Sequence, residues 1–102
     1  MRKIGPLTPD LVVACKIHEF QREGEKVDFR KLVEGLRGVV SRSTILNALN
    51  TLSDWGIIKV EFGETEAGRA GRLYYISGEA AAMIKETYDT FWDKVMKEKG
   101  MR

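Results

Sequence analysis

At Gly56 the hydrophobic pattern of the chain changes period, and that change limits the fold more than any other feature. Before it, Ile45, Ala48, Leu49 and Leu52 fall at i, i+3, i+4 and i+7, the buried stripe of a helix capped by Ser41 and stopped by Gly56. After it, residues 57–62 alternate as a strand. The run GETEAGRAG then makes a turn of charge and glycine, and residues 72–77 (RLYYIS) read as the returning strand. The chain therefore holds a helix that runs directly into a hairpin with a long tip.

Upstream, Thr8-Pro9-Asp10 is a strong helix start, with Thr as cap, Pro at the first helical position and Asp in the first turn. This first helix is expected to reach about Arg22 and to end before Gly24. Val13, Ala14, Ile17 and Phe20 lie on one of its faces, and Leu11, Val12 and Cys15 on the other. A helix that is apolar on both sides is buried on both sides, so some further element must cover the second face. Lys26-Val27 has room for one short strand. Asp28 caps a second helix running to about Arg37, with Phe29, Leu32, Val33 and Leu36 at helical spacing and Gly38 as its stop; Val39-Val40 then bridge to Ser41. From Ser77 or Gly78 a fourth helix continues to about Lys99, with Ala80, Ile84, Tyr88, Phe91 and Val95 on one face and Trp92 beside them.

The chain has 102 residues, enough for one domain with a proper core and too few for two. Residues 1–78 form the expected body and 79–102 a helical tail. Composition is that of a soluble globular protein, 43% hydrophobic and 31% charged. No apolar run approaches the roughly 18–20 residues that span a bilayer. The N-terminus MRKIGPLTPD lacks the apolar stretch of a secretory signal. The single cysteine, Cys15, fits a reducing cytoplasm, and cytoplasmic localisation is expected. Cys15 and His18 stand three residues apart, but two ligands do not make a metal site, and neither a metal nor a cofactor is expected. There is no phosphate-cradling glycine motif after a strand, no nucleophile with a histidine partner and no framed pair of carboxylates, so an enzyme is not expected. A net charge of +2 permits contact with nucleic acid without announcing it.

Three helices followed by a two-stranded hairpin make a winged helix-turn-helix, an α+β arrangement that is mainly α. The run S-x-S-T-I-x-x-A-L-x-x-L-x-x-x-G-I-I, and then G-R-x-G-R-x-Y-Y-x-I-S, resembles winged-helix transcriptional regulators of the PadR and MarR type over roughly residues 8–95. The Gly-Arg-rich wing followed by Tyr74-Tyr75 points toward the PadR-like ones. The resemblance implies a homodimeric regulator of the cytoplasm that binds double-stranded DNA, more readily a repressor by occlusion than an activator. It also implies that the fourth helix packs with the first across a two-fold axis. Leu11, Val12, Cys15, Ile84, Tyr88, Phe91, Trp92 and Val95 are then the interface.

The residues give their own argument for DNA. With 45, 48, 49 and 52 inward, the third helix turns Arg42, Ser43, Asn47, Asn50 and Thr51 outward, with Thr44 in its first turn and Leu46 at its flank. Arg suits guanine, Asn suits adenine, Ser and Thr suit phosphate or either base, and Leu suits a thymine methyl. A merely solvated face on so charged a protein would carry Lys and Glu rather than Ser, Thr and Asn, which are poor helix formers. On the wing, Arg69 and Arg72 sit among Gly68, Ala70 and Gly71, small residues that permit close approach to a duplex. Glu61, Glu64 and Glu66 oppose phosphate there. Arg2, Lys3, Arg30, Lys31 and Arg37 are further candidate phosphate contacts. Tyr74, Tyr75 and Trp55 are assigned to core or sheet packing, and His18 to a surface or interface. A small apolar effector has room between wing, first helix and fourth helix, though no polar anchor marks it. The competing reading is a protein–protein interaction module, which the modest charge and acidic wing also suit.

Overall fold

Local caps decide where the helices begin. In the computed structural model, which describes residues 7–98, the side chain of Thr8 accepts the Leu11 N–H (3.2 Å) and starts α1 (Pro9–Arg22). Asp28 accepts the Lys31 N–H (2.8 Å) and starts α2 (Phe29–Gly35). Ser41 accepts the Thr44 N–H (3.2 Å) and starts α3 (Arg42–Asp54). The exit from α3 is a Schellman turn: the Gly56 N–H donates to the Ser53 carbonyl and the Ile57 N–H to the Leu52 carbonyl, with Gly56 at φ +73°. The chain then enters β1 (Ile58–Glu64), which pairs antiparallel with β2 (Ala70–Ile76) from Ile58↔Ile76 to Glu64↔Ala70. α4 (Ala81–Glu98) follows.

The architecture is therefore mainly helical, four helices and one two-stranded antiparallel sheet, as the change of period at Gly56 requires. The hairpin is more regular than its sequence suggests. Its ladder runs out to Glu64 and Ala70. The tip is closed by the Thr65 N–H to Arg69 carbonyl bond (2.8 Å) and by the Gly68 N–H to Thr65 carbonyl bond (2.9 Å), with Gly68 at φ +81°. That is a tight turn with a glycine bulge, not a loose loop.

The expected strand at Lys26-Val27 does not form. Asp28 begins α2 at once, leaving only one ladder-like bond, from the Tyr74 N–H to the Val27 carbonyl (2.9 Å). α2 ends at Gly35, one half-turn short of the expected Arg37.

α1 lies at the centre and touches α2, α3, α4 and β2. Val12, Val13, Ala14, Cys15 and Ile17 are all buried on it, so both of its faces are covered. The cover for the second face comes from α4 of the same chain. Val12, Cys15 and Ile84 are each 0% exposed, Val95 2% and Trp92 4% within one chain. These five were expected to await a second copy; they belong to the chain's own core. A short turn at residues 77–80 returns the chain along α1, anchored by the Ser77 hydroxyl donating to the Gly56 carbonyl (2.8 Å). Of the expected interface, Leu11, Tyr88 and Phe91 stay half-buried at the edge of the core.

Two aromatic assignments divide. Tyr74 is core, at 6% exposed, and Tyr75 is half-buried, but Trp55 is 78% exposed. The chain turns at Gly56 straight into β1, and among the described residues no element lies over the last turn of α3 where Trp55 projects.

Candidate nucleic-acid interface

The interface is built on α3. Its inward stripe is closed, with Ile45 and Ala48 at 0%, Leu52 at 1% and Leu49 at 3% exposed. At about 100° per residue the opposite side of the helix is then the row Ser43, Asn47, Asn50 and Asp54. Arg42, Ser43, Asn47, Asn50 and Thr51 are all exposed, and Leu46 is half-exposed at the flank. Among the described residues, side-chain hydrogen bonds on this helix are confined to its N-terminal box of Ser41, Ser43 and Thr44. The amides of Asn47 and Asn50 are thus left to solvent or to a ligand. Thr44 is the exception among the expected contacts: half-buried, its hydroxyl accepts from Ser41 Oγ (2.8 Å) and serves the cap.

Arg42 is supported rather than loose. Its guanidinium lies 5.0 Å from the ring centroid of Phe29 on α2. Arg42, Arg37 and Arg30 rim an open groove floored by Phe29 and Val33. Arg30 is paired with Glu34 (3.6 Å), whereas Arg37 is exposed. Sequence reasoning treated Phe29 only as part of a buried stripe and overlooked its role under Arg42. It also overlooked Asp54, which ends the outward row with a negative charge. Helical spacing from Asn47 and Asn50 could have found the second; the first depends on how α2 meets α3.

On the wing, Arg69 and Arg72 are both exposed, and Arg72 lies 6.0 Å from the Phe62 ring centroid. Lys31 is not the free cation that was expected. Its ammonium pairs with Glu25 and Glu66 at once. Burial works to lower the Lys31 pKa, but the hydrogen bonds to the two carboxylates outweigh it and raise it. Glu66, in return, is held below the ordinary carboxylate range by the hydrogen bonds from Lys31 and from the Lys26 backbone. The Lys26 ammonium also donates to the Glu64 carbonyl (2.9 Å). The wing tip is thereby tied to α2, and one of its three acids is neutralised. Arg2 and Lys3 lie outside the described residues.

Elsewhere the polar groups serve the α1–α4 seam. The Tyr88 hydroxyl donates to Glu19 (2.7 Å) and accepts from Arg22 (3.3 Å), and its ring stacks on Trp92. Gln21 accepts the Ile76 N–H (2.7 Å) at the base of the wing. The corner read as having room for a small apolar effector, between wing, first and fourth helices, is bridged by these contacts. Burial, and then Glu19, push the Cys15 thiol up to about 12, so it keeps its proton at neutral pH. No group of three or more metal-ligating side chains occurs among the described residues. None of the described helices is long and apolar enough to cross a membrane.

No family model matches the chain, and no curated protein does. Solved structures do match. A PadR-like transcriptional regulator from Bacillus cereus superposes with TM-score 0.64 at 17% identity, covering 86% of this chain and 86% of its own. The fold is shared with PadR-type regulators. A PadR family transcription regulator from Clostridium difficile gives TM-score 0.60 at 18% identity, over 88% of this chain and 95% of the other. A variant of Lactococcus lactis ZitR gives TM-score 0.66 at 16% identity over 98% of this chain, which spans only 62% of ZitR. The PadR-type likeness therefore extends over helices, hairpin and α4 together, and at these identities it is a likeness of fold.

Proposed function

We propose that the chain binds double-stranded DNA and regulates transcription. The observation that carries this reading is the exposed row Ser43, Asn47 and Asn50, with Arg42 at its N-terminal end, on a helix whose other side is closed. Side chains in the first turns of such a helix reach base edges in the major groove, and its free backbone N–H groups favour phosphate. Arg42 would read guanine, and Asn47 and Asn50 adenine, while Ser43 and Thr51 meet phosphate or base. Arg69 and Arg72 would follow the backbone into the adjacent minor groove, and Arg37 a phosphate beside α2. With so few free cations beside this row among the described residues, two copies are needed for useful affinity. We therefore propose a homodimer, held through the half-buried Leu11, Tyr88 and Phe91 at the α1–α4 edge, that acts as a repressor by occlusion.

The test is fluorescence anisotropy on random and genomic duplexes at two salt concentrations. Affinity should fall steeply with salt, by about 0.9 in log K per unit log salt for each phosphate contacted. Arg42→Ala should cost about 1–3 kcal/mol and relax sequence preference, whereas Arg69→Ala should weaken all sequences alike. Absence of binding at low salt, or indifference to both changes, would sink the reading.

A second reading, an interaction module within a larger assembly, is favoured by one observation: Trp55, at the end of α3, is 78% exposed. It predicts salt-insensitive capture of a protein partner that Trp55→Ala abolishes.

A further inference from the structure

The wing carries a contact element that the reading helix does not account for. Phe62 is 80% exposed, the most exposed large apolar side chain among the described residues. It lies on the hairpin beyond the reach of the core. Strand side chains alternate, so Val60, Phe62 and Glu64 share one face with their cross-strand partners Tyr74, Arg72 and Ala70. The opposite face closes on itself. Leu73 and Thr65 are buried there (5% and 8%) over the Gly63↔Gly71 pair, where an added Cβ would stand 3.1 Å from Leu73 and from Thr65 respectively. The glycines let the outer wing fill its back face internally; on the front face Ile58 and Tyr74 pack into the core at the base of the hairpin, and beyond them Phe62 is left open.

Charge selects the partner for that face. Arg72 stands directly across from Phe62 with its guanidinium 6.0 Å from the ring centroid, and the exposed Arg69 follows at the tip. Of the wing acids, Glu66 is taken up by Lys31, and Glu61 belongs to the back face with Leu73. Only Glu64 shares the face of Phe62. An apolar ring with guanidinium groups beside it suits the minor groove, where negative potential draws arginine in and apolar side chains wedge between base steps. The Lys26 and Lys31 ties hold the tip against α2, so the ring is presented on an arm already fixed in place.

We propose that Phe62 and Arg72 act as one unit in the minor groove of double-stranded DNA, Phe62 wedging into a base step while the Arg72 guanidinium occupies the groove beside it. The proposal rests on the duplex-binding reading above. It adds a residue that reads deformability rather than base identity, favouring flexible pyrimidine–purine steps.

Duplexes of repeated TA steps, with 2-aminopurine replacing one adenine, test it by anisotropy and by 2-aminopurine fluorescence at two salt concentrations. The intact protein should bind and raise the fluorescence as the step unstacks. Phe62→Ala should lower affinity about tenfold at both salts, leave the salt slope unchanged because no charge is lost, and abolish the rise. Its thermal midpoint should match the parent, since the ring is exposed. Glu64→Gln should raise affinity. Parental affinity in Phe62→Ala overturns the proposal, as does weakened binding with the fluorescence rise intact. If the intact protein binds no duplex at low salt, the duplex-binding reading falls and the wedge with it; if it binds and Phe62→Ala binds equally, only the wedge falls.

Discussion

His18 shows how a single ring ties charge to packing. It sits half-buried between α1 and α4, 5.1 Å from the Tyr88 ring, and its Nε2 is buried without a hydrogen-bond partner. Burial, then Arg22, lower its pKa from 6.5; Lys85 adds to that, and Asp89 and Glu19 oppose it. The folded chain therefore binds fewer protons here than the unfolded chain does. Its stability should be level above pH 6.5 and decline as pH falls below that value toward the folded pKa. Glu19 adds a second loss at more acid pH. Burial raises its pKa, but hydrogen bonds from Lys16 and Tyr88 outweigh this and hold it below 4.5. Thermal midpoints followed by circular dichroism from about pH 8 to about pH 2 should show both declines, and His18→Gln should lose the first and keep the second. A midpoint that is flat through the first window in the parent would contradict this burial. The helix caps at this scale, Thr8, Asp28 and Ser41, were legible in the sequence because each acts within three residues of itself. The Lys31–Glu66 pair was not, since it joins groups that only the fold brings together.

Among the elements, α1 and α4 form the decisive pair. Sequence periodicity showed that α1 is apolar on two sides, and the structure agrees. Periodicity carries no information on whether the covering helix belongs to the same chain, and that is where the expectation failed for Val12, Cys15, Ile84, Trp92 and Val95. Trp55 failed for a related reason: helical spacing places it near the core stripe, but the Schellman turn ends α3 before anything can cover it. Urea denaturation separates the two cases. Ile84→Ala should cost about 2–5 kcal/mol, the transfer and cavity cost of a fully buried side chain. Trp55→Ala should stay within about 0.5 kcal/mol. Equal costs would mean that α4 is not docked as described.

For the whole molecule, burial of α4 in cis leaves a smaller surface for self-association than the sequence implied. Along the α1–α4 edge, among the described residues, the rims of Leu11, Tyr88 and Phe91 remain, with the exposed Met83 on the first turn of α4. Sedimentation velocity should find a dimer that weakens with dilution. Phe91→Glu should shift it to monomer with the helical signal intact, whereas Val95→Glu, at a position 2% exposed, should unfold the chain instead. A monomer at every concentration would remove the dimer from the proposal, and with it the source of affinity for two half-sites.

The closure of α1 by α4 also has a consequence in time. The helix at the heart of the domain is made first, while the helix that seals its second side is made last of the described elements. Until α4 emerges, the side of α1 that faces it has no cover, so α1 must wait on a nascent chain with apolar surface bare. The contacts that complete the core are among the most distant in sequence, and closing so long a loop is entropically slow. Folding of this domain is thus gated by the emergence of α4, and α3 becomes firmly held only once that helix has been made.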